Sequence, residues 1–129
     1  MLVPSLFFNG KCEEAIEQYK RAFGADVAVI QPFPEEENNK GIMYSEIYLH
    51  GQRMMLSDMG GNEPPGFVIV FDNLDDMMKS WEIMKEGGEV RFPPQKTEAS
   101  ICEAILRDRF GITWGMMVDE EHPFRKKEQ

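Results

Sequence analysis

Ala15-Ile16-Glu17-Gln18-Tyr19-Lys20-Arg21-Ala22 and Met77-Met78-Lys79-Ser80-Trp81-Glu82-Ile83-Met84 carry their larger apolar side chains in the same rhythm. In both, positions one, two, five and eight are apolar, the spacing of a helix with one buried face. The flanks agree as well. Phe8-Asn9 falls on Phe71-Asp72, and Asp26-Val27 falls on Glu89-Val90. Before the first helix runs the apolar stretch Leu2 to Phe8, which meets the turn signal Asn9-Gly10. Before the second runs Phe67 to Phe71, which meets Asp72-Asn73, a turn with an N-cap residue. Gly24 closes the first helix and Gly87-Gly88 the second, because glycine accepts the left-handed conformation of a helix end.

The segments C-terminal to the two helices match as well. After the first come a strand at Val27 to Ile30, a polar loop from Glu35 to Lys40, and two alternating segments, Ile42 to Leu49 and Arg53 to Leu56. These two pivot on His50-Gly51, a hairpin turn. After the second come a strand at Glu89 to Phe92, a break expected at Pro93-Pro94, and a hairpin. Its arms are Ile101 to Arg107 and Ile112 to Val118, around Asp108-Arg109-Phe110-Gly111. The order is strand, helix, strand, strand, strand, twice, and a period near half the chain excludes a solenoid of short repeats. The expected fold is therefore α+β, with two βαβββ modules in tandem forming a curved mixed sheet. Residues 1–129 form one domain in this reading, with module one at about 1–64, module two at about 65–120 and a short charged tail at 121–129. Each module has a helix for only one sheet face. The other face needs cover from its sister module or a second chain, which makes it a natural place for a ligand.

Composition narrows the function. The chain has 129 residues, 42% hydrophobic and 29% charged, as in ordinary soluble globular proteins. A net charge of −9 opposes binding to a phosphate backbone, so no nucleic-acid partner is expected. The only basic run, Arg125-Lys126-Lys127, reads as a solvated tail. No apolar run is long enough to cross a bilayer, and Met1 to Ser5 lacks the pattern of a secretion leader, so no membrane partner is expected. Cys12 and Cys102 stand far apart outside any CxxC pattern, and read as free thiols of a cytoplasmic protein.

The duplicated βαβββ plan resembles that of the vicinal oxygen chelate (glyoxalase/bleomycin resistance/dihydroxybiphenyl dioxygenase) superfamily. Finer words resemble its PhnB-like family. They are Leu6-Phe7-Phe8-Asn9-Gly10-Lys11-Cys12-Glu13-Glu14-Ala15, then Tyr19-Lys20-Arg21-Ala22-Phe23-Gly24, then Ile42-Met43 before Ser45-Glu46, and Met55-Leu56-Ser57-Asp58. Pro94-Gln95-Lys96-Thr97 and Asp108-Arg109-Phe110-Gly111-Ile112-Thr113-Trp114 close the series, so the resemblance runs from Leu2 to about Val118. It implies a small bacterial homodimer of a kind often labelled a ubiquinone-pathway methyltransferase. No Gly-rich loop follows a strand here as a methyl-donor site needs.

The resemblance also implies where a metal would sit. Metal-dependent members of the superfamily place donors on the first and last strands of each module. The first-strand positions here, Val3-Pro4-Ser5 and Pro65-Gly66-Phe67, offer no competent donor. A glutamate of metalloenzyme relatives four residues past the hairpin glycine is Gly115 in this chain, and module one reads Met54-Met55-Leu56 in the equivalent region. His50 sits at a turn and His122 in the tail, off any strand face. No metal and no cofactor is expected. Relatives often carry His at the position of Tyr44 and Trp at that of Ala99, so functions resting on those side chains do not carry over.

Alternation sets the pocket candidates. With Gly115 facing the concavity, Thr113 and Met117 do too, whereas Trp114 and Met116 face the helices. Phe7, Tyr44, Glu46, Met55, Glu103 and Arg107 complete the expected lining. Glu46 and Glu103 occupy corresponding strands and are the catalytic candidates, as carboxylates able to act as general acid or base. The competing reading makes them solvated or paired with Arg53 or Arg107. Cys102 reads as a buried small hydrophobe, and Cys12, at a helix start, as structural. Asn9 and Glu13 read as caps of the first helix, Asp108 as a turn residue and Asp58 as a strand end. Three functions remain open at this level, beside a purely structural role should side chains fill the pocket. The first is a PhnB-like protein binding a small organic ligand in a metal-free pocket. The second is a lyase or isomerase using the pocket carboxylates. The third is sequestration of a cationic, bleomycin-type antibiotic.

Overall fold

The computed structural model describes residues 1–34, 41–59, 63–97 and 100–118. The acidic loop 35–40, Ala99, His122 and the basic tail lie outside them. Two compact units emerge. One is Pro4–Pro65; the other joins Met1–Val3 to the described residues from Gly66 to Val118.

The first unit holds β1 (Leu2–Phe7, whose first residues cluster with the other unit), α1 (Cys12–Phe23), β2 (Asp26–Pro32), β3 (Ile42–Leu49) and β4 (Gln52–Ser57). Its strands lie in the order β2-β3-β4-β1, antiparallel except for the parallel β1–β4 pair. β3 and β4 turn at His50 and Gly51, whose φ angles of 49° and 86° both have the sign a type I′ hairpin demands. Strict alternation then sends Ser45, Ile47 and Leu56 to one side, where Ile47 and Leu56 pack with Cys12, Ile16, Ala25 and Ile42. Each such fully buried aliphatic side chain stabilises the fold by about 1.5–3 kcal/mol.

The second unit repeats the plan with β5 (Gly66–Phe71), α2 (Leu74–Met84), β6 (Glu89–Gln95), β7 (Glu103–Arg107) and β8 (Thr113–Val118), in the order β5-β8-β7-β6. β5 and β8 run parallel, and the β8–β7 and β7–β6 pairs are antiparallel. Met77 and Trp81 of α2 bury against Cys102, Ala104, Leu106, Met116 and Val118, with Trp114 packed beside them. Cys102, Trp114 and Met116 thus face the helix, as alternation predicts. Met1 is stitched into this unit, its ammonium donating to the Val70 carbonyl at 2.9 Å and its carbonyl accepting from the Val70 amide at 2.8 Å.

Two sequence expectations need correction. β6 does not stop at Phe92 but runs through Pro93 and Pro94 to Gln95. It is the outermost strand of its unit, and its register with β7 slips between Phe92 and Gln95, so the missing proline N–H groups interrupt no regular ladder. Nor does Asn9 cap α1. Asn9 sits at φ 48°, and the N-cap position is Lys11 without a side-chain capping bond. The acceptor is Asp58, far along the chain at the end of β4. Its Oδ1 accepts from the Gly10 and Cys12 amides at 2.7 and 3.0 Å, and its Oδ2 accepts from Ile42 at 2.9 Å. One carboxylate therefore ties the start of α1, the start of β3 and the end of β4. At α2 the local cap does form, Asn73 Oδ1 accepting from the Asp76 amide at 2.9 Å.

Among the described residues, no helix is long and apolar enough to cross a membrane.

Candidate functional site

The sheet face of the first unit turned away from α1 carries Tyr44 and Glu46 of β3, Arg53, Met55 and Ser57 of β4, and Ser5 and Phe7 of β1. The register sets Glu46 opposite Met55, Met55 opposite Ser5, and Ser57 opposite Phe7. Glu46 is 0% exposed and Arg53 3%. An ionised pair survives such burial only when each charge is matched by good geometry. Here Arg53 Nε donates to Glu46 Oε1 at 2.9 Å, and the half-buried Tyr44 hydroxyl donates to Glu46 Oε2. Both oxygens of the carboxylate are engaged by neighbours on the same hairpin. Of the two readings for Glu46, a base facing a pocket or a carboxylate paired with arginine, the second is what the geometry contains. Phe7 and Tyr44 lie half-buried on this face, and Met55 is buried.

In the second unit the face turned away from α2 carries Glu103, Ile105 and Arg107 of β7, opposite Met117, Gly115 and Thr113 of β8. Glu103 is half-buried, and its Oε2 accepts from the Thr97 hydroxyl. Thr97 in turn accepts from the Ser100 amide at 3.2 Å. Arg107 is not the partner of Glu103. Four residues apart on one strand face, they are separated by about 13 Å of extended backbone, and Arg107 is exposed. Thr113 is half-buried and Met117 buried. Thr97 stood within the family-like word Pro94 to Thr97, but nothing in the spacing announced that it would hold Glu103.

The two units repeat the pairing of first strand with last: Ser5 lies opposite Met55 and Val68 opposite Gly115, in step with the matched flanks Phe8-Asn9 and Phe71-Asp72. The first-unit counterpart of Gly115 is therefore Met55, within the Met54-Met55-Leu56 run. The donor set does not fit a superfamily metal. Its last-strand positions hold a thioether side chain and a glycine, and a Cβ on Gly115 would stand 3.1 Å from Val68 Cγ2. Among the described residues, no group of three or more His, Cys, Asp and Glu is gathered to hold a metal ion. His50 is exposed at the β3–β4 turn.

The thiols are inert by placement. Burial pushes the Cys12 thiol up to about 11, against the opposing Ser45 contact at 3.9 Å. Burial likewise raises Cys102. Asp108 orders the β7–β8 loop. Its Oδ1 accepts from Phe110 and Ile112 amides, each at 2.9 Å, and its Oδ2 from Trp114 Nε1 at 2.9 Å. The Ile112 amide, aided by Trp114, Phe110 and Gly111, holds the carboxyl below the ordinary aspartate value.

Two βαβββ units with these strand orders define the glyoxalase/bleomycin resistance/dioxygenase class of α+β protein. A protein from Staphylococcus aureus shares the fold at a TM-score of 0.77 with 21% identity, over 92% of this chain and 96% of that one. A glyoxalase/bleomycin resistance protein/dioxygenase superfamily member from Vibrio splendidus 12B01 does so at 0.60 with 13% identity, over 92% and 98%. Within that class, residues 1–117 match the family model described as 3-demethylubiquinone-9 3-methyltransferase, and the chain belongs to this PhnB-like family. Protein YjdN of Escherichia coli K12 is 24% identical over a 143-residue alignment covering 95% of this chain and 97% of YjdN.

Proposed function

We propose that this PhnB-like protein binds a small organic ligand on the helix-free face of its sheet without a metal ion. The observation that carries the reading is the Tyr44–Glu46–Arg53 cluster. A buried guanidinium on β4 holds one oxygen of the Glu46 carboxylate, and the Tyr44 hydroxyl holds the other. Such a group orients and shapes a binding surface rather than removing a proton from a substrate, because a general base must reach its target and Glu46 is wholly withdrawn from the surface. The lyase or isomerase alternative would have to run on Glu103, which also holds a hydroxyl. Antibiotic sequestration draws support from the net charge of −9 alone. A homodimer, cytoplasmic and without nucleic-acid or membrane partners, completes the proposal.

Elemental analysis and native mass spectrometry of the purified protein test it together. The expected result is a substoichiometric metal content and a saturable complex with a small organic molecule. Stoichiometric Ni, Zn, Mn or Fe would sink the metal-free reading. Thermal stabilisation by bleomycin-type cations would move the assignment to sequestration, and light scattering checks the dimer.

A further inference from the structure

On the helix-free face of the second unit, Arg107 stands without a side-chain partner among the described residues. Arg107 is exposed and, among the described residues, takes part in no ion pair or side-chain hydrogen bond. Its register partner on β6, Glu89, is engaged instead by Arg91 at 3.5 Å. The guanidinium reaches back toward the β7–β8 loop, where a Cβ on Gly111 would lie 3.7 Å from Nη2. In a chain of net charge −9, an unclaimed guanidinium is a local positive spot on an acidic background.

The surface beside Arg107 is apolar. Thr113 lies directly opposite it on β8. Two residues further along, about 7 Å of extended chain, a row runs across the sheet through Val68, Gly115, Ile105 and Phe92. Gly115 is the only member of that row without a side chain, and Val68 leans over it, its Cγ2 standing 3.1 Å from where a Cβ would be. Ile105 is 39% exposed, unusual for a large aliphatic residue in mid-strand, and Phe92 is half-buried. Glu103 lies a further two residues away, about 13 Å of extended chain from Arg107, too far to pair with it.

We infer that this surface takes a small organic monoanion, a carboxylate with a compact apolar body. The carboxylate sits on Arg107, whose planar fork matches two carboxylate oxygens, with the Thr113 hydroxyl as a further donor. The body lies against the exposed side chain of Ile105. This rests on the ligand-binding function proposed above and narrows it to an anionic ligand on the second unit.

The test is a titration of the full-length, isotope-labelled protein with phenylacetate, neutral phenylacetamide and cationic phenethylamine, followed by amide chemical shifts. Phenylacetate is expected to give saturable shifts concentrated at Ile105 to Arg107 and Thr113 to Gly115, with at least tenfold weaker binding of the amide and the amine. Arg107→Gln should weaken phenylacetate at least tenfold, Ile105→Asn should weaken it severalfold by removing the apolar contact, and Lys79→Gln on α2 should leave it unchanged. Arg107 is exposed, so its variant should keep the wild-type spectrum elsewhere, which separates lost binding from lost folding. No saturable shift with phenylacetate, or equal binding of acid and amine, would overturn the assignment. Binding of the amide or amine that ignores Arg107→Gln would also overturn it, while leaving the broader ligand-binding function intact.

Discussion

Arg53 of β4 donates to Glu46 of β3 across a two-residue hairpin, and the pair is almost wholly withdrawn from water. Removing one partner leaves the other charge buried and alone, at a cost of about 3–5 kcal/mol. Arg53→Met and Glu46→Met should each lower unfolding free energy by that order in urea titrations. The double variant should recover most of the loss, since two apolar side chains leave no orphaned charge. A double variant as unstable as the sum of the singles would show that the pair is not coupled.

Asp58 satisfies three backbone amides from two other segments. Asp58→Ala leaves the Gly10, Cys12 and Ile42 N–H groups without that acceptor, and should cost about 2 kcal/mol or more. Hydrogen exchange should accelerate first at these three amides. Unchanged protection there would refute the three-way tie.

Cys12 is a weak acid raised to about 11 in the fold, so the folded state keeps its proton where the unfolded chain begins to lose it. Stability from this group is present below the unfolded thiol range near 9 and falls as pH rises toward about 11. Reaction with a thiol reagent at neutral pH should be slow in native conditions and fast in denaturant. Rapid native labelling of Cys12 would contradict the buried placement.

For Asp108 the sign is opposite. Its depressed value means that the folded state holds the charged form more tightly, so its stabilisation is present above the ordinary aspartate range and lost as pH falls through the folded value. A carboxyl titration by NMR should find Asp108 below ordinary aspartates, and Trp114 Nε1–H should shift with the same midpoint. Asp108→Asn should loosen the β7–β8 loop at neutral pH while abolishing that coupled titration.

How much the sequence disclosed depended on how local each cause was. Ile42 to Leu49 appears in the structure with the same bounds, because alternation and a type I′ turn are written in adjacent residues. The repeat of Ala15-Ile16-Tyr19-Ala22 in Met77-Met78-Trp81-Met84 set both helices for the same reason. The Glu46–Arg53 pair was among the possibilities, since both residues flank one short turn. Asp58 could not be recognised as the cap of α1, because its partners become neighbours only after β1, β3 and β4 assemble. The passage of β6 through Pro93-Pro94 also needed the finished sheet order, which makes β6 outermost. Arg107 stood on the expected lining, but its lack of a partner depends on what every nearby acid is already doing.

Pro93 and Pro94 also bear on how the molecule meets other chains. An outermost strand normally offers a row of unsatisfied amides to any extended chain that drifts past, and that invitation is how folded proteins nucleate fibrils. Successive strand amides point to opposite sides, so one of the two prolines puts a gap in the outward row, and the slipped register between Phe92 and Gln95 bends it. Replacing both with valine would leave the fold's interior untouched and yet hand the molecule a sticky margin. The prolines thus act as a selvedge, keeping the sheet from unravelling into its neighbours.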